Sequence, residues 1–233
     1  MYVTPSNSSS LSGGFIKVIV GSESDVTLCV HENLICASSD FFKKGTHGGW
    51  KESKERLVRL ETIEEEVFQI YVHWLYRRTL PLRVDEPGQL GNTEYVQLAK
   101  AYVLGDYLRD TNFKNAVIDA IMDKTVSPLL DGRCWFPVGA VISCIYDNTL
   151  ESSPARKLLV DVYTRKGMGA WLREWASVAD LPKEFLFDLA VSVLDRRPQP
   201  AFDIMEDPCK YHEHTSEQKE LCHKSKEGAE TKK

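Results

Sequence analysis

The sequence lacks the features that place a chain in a membrane or on nucleic acid. It has no run of about 18 apolar residues, so no segment is predicted to span a bilayer. Its start, MYVTPSNSSSLSGG, has neither the basic nor the apolar region of a secretory signal, so we expect an intracellular protein, cytoplasmic or nuclear. A net charge of −5 supplies no basic excess for binding phosphates. Neither nucleic acid nor a membrane is therefore expected as a partner.

Motifs for catalysis are also missing. The sequence contains no glycine-rich phosphate loop, no Ser-His-Asp order and no His-x-x-x-His helix. His31 has no nucleophile placed with it, so we expect it to pack and hydrogen-bond where a strand meets a helix. Glu64, Glu65 and Glu66 fit the positive start of a helix better than paired acid and base. The sequence predicts a protein that is not an enzyme.

Cysteine is scarce, and most of it stands alone. Cys29, Cys36, Cys134 and Cys144 each lie singly in an apolar segment, where free cysteine behaves as a small buried hydrophobic residue. We expect no disulfides, because an intracellular compartment is reducing. Burial should raise the pKa of Cys36, which lies between Ile35 and Ala37, and leave it unreactive.

What is present is enough apolar sequence for a core, 42% of the chain, arranged first as a hairpin. Ile16–Val20 and Val26–Val30 are β-branched runs joined by turn residues, which predicts two strands. The stretch VHENLICASSDFFKK follows directly and predicts two short helices that meet at Ser38 or Ser39. Phe41 and Phe42 supply two rings that we expect in the core.

Three longer amphipathic helices are predicted next. Thr62 and Glu65 form a capping box, and the following stripe is expected to face the sheet; it consists of Val67, Ile70, Tyr71, Trp74 and Leu75. A polar loop at 84–92 precedes a helix from Thr93 to about Leu108 with a broad apolar surface. Asp110, Thr111 and Asn112 are all suited to cap the next helix, so the two helices should form an antiparallel hairpin.

Taken in order, these segments resemble the BTB/POZ domain in the form common in filamentous fungi. The resemblance is carried by HENLICASSDFFKKG, Trp50-Lys51-Glu52, LVRL, FQIYVHWLY and LAKAYVLGDYLRDTNFKNAVIDAI. It implies an α+β fold in which a small sheet of about three strands is capped by a cluster of helices. We assign this domain to residues 15–126, after a disordered leader at 1–14.

An all-helical extension at 127–197 is expected to pack on that domain. Pro137 and Pro154 suit first helical positions, and Trp171 and Trp175 lie on a short element between helices. The last helix begins after Leu181-Pro182, with an inward face of Phe185, Leu186, Leu189, Ala190 and Val193. Residues 198–233 form a polar tail.

The resemblance implies a function in protein–protein interaction. Members of the family commonly form homodimers and recruit partners, either as scaffolds or as substrate adaptors of cullin-type ubiquitin ligases. Two positions depart from the family: Gly14-Phe15 stands where an aspartate is frequent, and Glu32 stands where a basic residue follows the histidine. Residues 77–81, Arg-Arg-Thr-Leu-Pro, also differ from the hydrophobic-x-Glu sequence of many cullin-binding members.

The tail supplies an alternative function. Cysteine and histidine recur there at spacings that can assemble a tetrahedral zinc site, with candidate ligands Cys209, His212, His214 and Cys222, and His223 as a further one. A structural zinc could order a tail that has no core of its own. The alternative hypothesis is a zinc-binding regulatory protein in which this cluster carries recognition. No other cofactor is predicted.

Overall fold

The computed structural model describes residues 13–21, 26–47, 56–81, 92–174, 181–197 and 213. The predicted leader up to residue 12, most of the loop at 84–92, Trp175 and the Cys/His cluster of the tail lie outside these residues. The chain divides into two compact units, Met1–Ser192 and Val193–Lys233. The description below concerns the first unit, apart from the end of the last helix.

Three strands form one sheet. β1 (Phe15–Val20) pairs antiparallel with β2 (Val26–His31) and parallel with β3 (Leu57–Leu60), so the strand order is β2-β1-β3. The β-branched alternation has the predicted effect, since Ile16, Val18 and Val20 are fully buried. The predicted hairpin is confirmed.

Two short helices follow β2 directly, as predicted. α1 (Glu32–Ser38) and α2 (Asp40–His47) meet at Ser39, which is fully buried. The Ser39 hydroxyl accepts a hydrogen bond from the backbone N–H of Phe42 at 3.2 Å and so caps α2. Phe42 is in the core, but Phe41 is only partly buried. Adjacent residues lie about 100° apart on a helix, and here the Phe41 ring lies at the edge of the buried face of α2.

α3 (Glu65–Arg77) begins three residues later than predicted. Glu64 is its N-cap, with an extended backbone and no capping side chain, and the Ile63 N–H bonds to Leu60 O at 3.2 Å, so the Thr62–Glu65 capping box does not form. The predicted stripe is buried throughout. Its rings Tyr71 and Trp74 contact Phe113 of α5, at 4.9 and 5.2 Å, so this part of the stripe packs on a helix.

α4 (Thr93–Tyr107) and α5 (Thr111–Val126) form the predicted helix pair. α4 is buried on most sides, including Leu98, Tyr102 and Leu104. Between its buried face and α5 lies an ion pair of Lys124 with Glu94, in which the lysine side chain is 8% exposed. Burial of a charged pair requires such direct compensation.

Four more helices follow in the residues that the structure describes: α6 (Gly139–Asn148), α7 (Pro154–Lys166), α8 (Gly169–Glu174) and α9 (Lys183–Arg196). α6 packs closely on α4. The Tyr95 hydroxyl donates to Trp135 O at 2.8 Å, and the Tyr163 hydroxyl donates to Pro137 O. Pro154 is a first helical residue as predicted, whereas Pro137 precedes its helix by two positions.

Further burial predictions fail besides that of Phe41. α9 buries Phe185 fully, but Ala190 and Val193, predicted to face inward, are exposed because the inward face of the helix is confined to its first turns. Cys29 is exposed because it alternates with Leu28 and Val30 on β2 and so occupies the outer face of the sheet. Among the described residues no helix combines the length and the apolar character that crossing a membrane requires. The fold class is α+β, as predicted.

Replacing Trp74 by alanine tests the helix stripe. The ring is 4% exposed and also lies under the Arg78 guanidinium, 4.3 Å from its centroid. Its removal should lower the free energy of unfolding by about 3–5 kcal/mol, measured by chemical denaturation. Phe187→Ala, at a ring that is 69% exposed, is the matched control and should change it little. Equal effects of the two substitutions would contradict this packing.

Candidate functional site

Two rings, Phe41 of α2 and Tyr107 at the end of α4, form an aromatic patch at the surface. Their centroids lie 5.1 Å apart, and Tyr107 is 51% exposed. On its inner side Phe41 meets the fully buried Phe42 edge-on at 5.3 Å. The patch is therefore an exposed apolar surface that is continuous with the core.

Buried hydrogen bonds hold the two halves of this patch together. The Ser39 hydroxyl donates to Leu108 O at 2.6 Å, and the backbone N–H of Phe41 donates to the same oxygen at 3.3 Å. Leu108 follows Tyr107 directly, so these bonds join the start of α2 to the end of α4. Because the bonds are shielded from water, the relative position of Phe41 and Tyr107 is well fixed.

A buried carboxylate lies at the same junction. Asp110, fully buried, accepts hydrogen bonds from the Ser38 hydroxyl at 2.5 Å, the Tyr71 hydroxyl at 2.9 Å and the Phe113 N–H at 2.9 Å. These donors come from α1, α3 and α5. Burial and the neighbouring carboxylate raise the pKa of Tyr71 far above its ordinary value, so the phenol stays protonated and acts as a donor.

Basic side chains neighbour the patch in sequence. Lys43 and Lys44 follow Phe41 on α2, and Arg109 follows Tyr107 by two residues. All three are exposed, and Arg109 adopts a left-handed backbone, φ 54°, in the tight turn between α4 and α5. Asp40 and Asp106 directly precede the two rings, so the aromatic centre has charged neighbours of both signs in the sequence. Such a centre suits a partner surface that combines apolar and polar side chains.

A second surface lies where β1 and β2 meet α1. His31 behaves as predicted: its Nδ1 lies 2.7 Å from the Tyr76 hydroxyl, and its backbone N–H donates to the same oxygen at 3.2 Å. The ring of Phe15, opposite His31 in the sheet, lies 4.4 Å from the imidazole and is 50% exposed. These contacts give His31 a structural role at the junction of β2 and α1.

The two departures from the resembled family meet beside this surface. Glu32 pairs with Arg56 at 3.5 Å, and the Arg56 guanidinium fills the space beside Gly14. A Cβ at position 14 would lie 2.0 Å from Arg56 Nη1, so this arrangement requires a glycine or a moved arginine. In this ion pair the acid is Glu32 at the start of α1 and the base is Arg56. The sequence analysis did not identify Arg56, and the sequence offers no signal for it.

The cysteines differ in environment. Burial raises the pKa of the Cys36 thiol, as predicted, although this residue is only half-buried and lies 3.4 Å from the Thr46 hydroxyl. Burial also raises the pKa of Cys144. All four cysteines in the described part of the chain are free.

An open concavity of about 570 Å³ lies between α7, α9 and the end of α6. No cysteine or histidine lines it, and Arg156 is already bonded to the carbonyls of Tyr146 and Thr149. Its lining comprises Thr149, Leu150, Glu151, Arg156, Lys183, Glu184, Phe187 and Asp188.

The predicted zinc ligands Cys209, His212, His214 and Cys222, with His223, lie outside the described residues, so this site stays a prediction. Within the ranges that the structure describes, no group of three acidic, cysteine or histidine side chains could hold a metal ion.

Comparison with known proteins supports the assignment of the sheet and the helices next to it. Residues 7–109 match the family model of the BTB/POZ domain. Kelch repeat and BTB domain-containing protein 4 of Mus musculus is 32% identical over 90 residues, which cover 35% of this chain and 17% of that protein. The Homo sapiens protein of the same name is 31% identical with the same coverage. The match therefore spans about a sixth of the length of these relatives.

Cysteine alkylation tests the environments described above. At neutral pH iodoacetamide should modify exposed Cys29 before Cys36 and Cys144, because a raised pKa lowers the thiolate fraction and burial limits access. Raising the pH should speed the reaction of Cys36 and Cys144. Peptide mapping by mass spectrometry resolves each site, and modification of Cys36 as fast as Cys29 would contradict the structure.

Proposed function

We propose that this chain, which carries a BTB/POZ domain, is a non-enzymatic interaction module that recruits a partner protein through the aromatic patch of Phe41 and Tyr107. The observation that carries the proposal is that the Tyr107 ring is exposed while a buried hydrogen bond to the next residue, Leu108, fixes its position. Rigid aromatic side chains give large contact area at low entropic cost and often dominate binding energy.

Within this function we propose a role as an adaptor that binds a cullin-type scaffold. The resemblance to the BTB/POZ family supports it, because some members act in this way. Residues 77–81 lack the hydrophobic-x-Glu sequence, so we assign the contact to the aromatic patch.

We also propose that the chain self-associates, as members of this family commonly do. Phe15 supports this proposal, since a half-exposed ring on the outer face of a sheet gains stability when a second surface covers it. The two proposals use different residues, so they can be tested separately.

Affinity purification of the full-length chain from its own cells, followed by mass spectrometry, tests partner recruitment. Tyr107→Ala should deplete a stoichiometric partner by about tenfold, as expected for loss of one hot-spot ring. Phe187→Ala, which removes another exposed aromatic ring but on α9, is the matched control and should retain that partner. Thermal melts show that both variants fold.

Recovery of a cullin that Tyr107→Ala loses would support the adaptor role. A partner that both variants retain equally would exclude the aromatic patch as its binding site, and complete absence of a stoichiometric partner would contradict recruitment.

A further inference from the structure

β2 is an edge strand, and its hydrogen-bonding pattern shows which backbone groups face outward. Gly14 O accepts a hydrogen bond from the Glu32 N–H at 2.9 Å. Because hydrogen-bonded pairs alternate along an antiparallel ladder, the even-numbered residues of β2 bond to β1 through their backbone groups. The N–H and C=O groups of Thr27, Cys29 and His31 therefore point away from β1. β2 has no second neighbour in the described sheet.

Over the described residues, the outward backbone groups of β2 are hydrogen-bonded at one end of the strand and not along the rest. The N–H of His31 is taken by the Tyr76 hydroxyl. In the part of the chain that the structure describes, no strand or side chain bonds to the outward backbone groups of Thr27 and Cys29, and both side chains are exposed. The edge thus offers two donors and two acceptors in a row, ending at Tyr76.

This edge lacks the protection that edge strands of monomeric proteins commonly carry. Residues 26–30, Val-Thr-Leu-Cys-Val, contain no charge, no proline and no glycine, and the register with β1 is regular, without a bulge. Their β propensity is high. A second strand can add here with main-chain hydrogen bonds.

We propose that β2 pairs antiparallel with β2 of a second copy of this chain, with Leu28 at the two-fold axis. Bonding groups of Thr27 then face those of Cys29 of the partner subunit, and Val26 lies opposite the partner's Val30. The proposal rests on the self-association proposed above and assigns its interface. It joins two three-stranded sheets into one of six strands.

The register follows from the two ends of the strand. Tyr76 blocks addition at His31, so the partner strand must end opposite Val30. β2 begins at Val26, and an antiparallel pair centred on Leu28 fills the open segment from end to end. A shift of the centre to Cys29 would place Thr27 of the second copy against the Tyr76 bond. A shift to Thr27 would leave part of the edge unpaired.

A second copy is favoured over a foreign peptide because the segment complements itself. In this register, valine meets valine, leucine meets leucine and the small polar side chains meet each other, with no like charges opposed. The isologous arrangement also satisfies the same open groups on both chains at once.

A pair of charge variants that differ at one residue tests this register. In T27E/C29E, the carboxylate introduced at position 27 faces the one introduced at position 29 of the second copy. The symmetric pair repeats this contact, and the two like-charge pairs should raise the dimer Kd about tenfold. In T27K/C29E, an ammonium group at position 27 faces that carboxylate, so the dimer should be retained.

The folded monomer should tolerate both variants, because the acidic side chain at position 29 lies opposite Lys17 of its own chain in each of them. Sedimentation equilibrium under reducing conditions measures the Kd of the dimer. Thermal melts of the two variants check that the fold is intact.

The outcomes separate the two levels of the proposal. A wild-type chain that stays monomeric at the highest soluble concentration overturns both self-association and the β2 pairing. A dimer whose Kd is the same in T27E/C29E and T27K/C29E overturns only the β2 pairing and points to another surface, such as that of Phe15. Weakening confined to T27E/C29E supports the antiparallel register.

Discussion

The hydrogen bonds that the buried carboxylate of Asp110 accepts are the interaction on which the rest of the domain depends. The carboxylate is completely buried, and it stays there because hydroxyls from α1 and α3 and the Phe113 N–H in the first turn of α5 all donate to it. One side chain therefore fixes three helices relative to one another. Loss of this carboxylate would leave buried donors unpaired on three elements at once, which makes the junction cooperative.

The surface proposed for binding depends on the same junction. The turn that carries Asp110 also presents Leu108 O, which receives two donors from the start of α2, and Tyr107 is the residue before it. The rings of Phe41 and Tyr107 are thus aligned by bonds that lie underneath them. The open edge of β2 is limited in a similar way, since Tyr76 of α3 blocks one end of it. At the aromatic patch and at the β2 edge, a buried or half-buried hydrogen bond determines which part of the surface is available to the proposed partner.

Elements with a strong periodic pattern could be predicted from the sequence, and the exposed surfaces could not. The β1 and β2 alternation, the serine corner and the Trp74 stripe follow from which residues must be buried. The start of α3 was placed too early because Thr62 and Glu65 match a cap that the backbone does not use. Arg56 reaches Glu32 across the fold, and Tyr107 is exposed only because α4 ends there; neither fact has a local signal.

A double-mutant cycle between Tyr71 and Asp110 tests the central claim most directly, with the free energy of unfolding as the measured quantity. In the wild-type chain, Tyr71→Phe should cost about 1.5–3 kcal/mol, as for a buried hydrogen bond to a charged group. In the Asp110→Ala background the same substitution should cost almost nothing, because its acceptor is already gone. If the two single costs simply add, Asp110 does not hold the helices together in the way described, and the alignment of the aromatic patch needs another explanation.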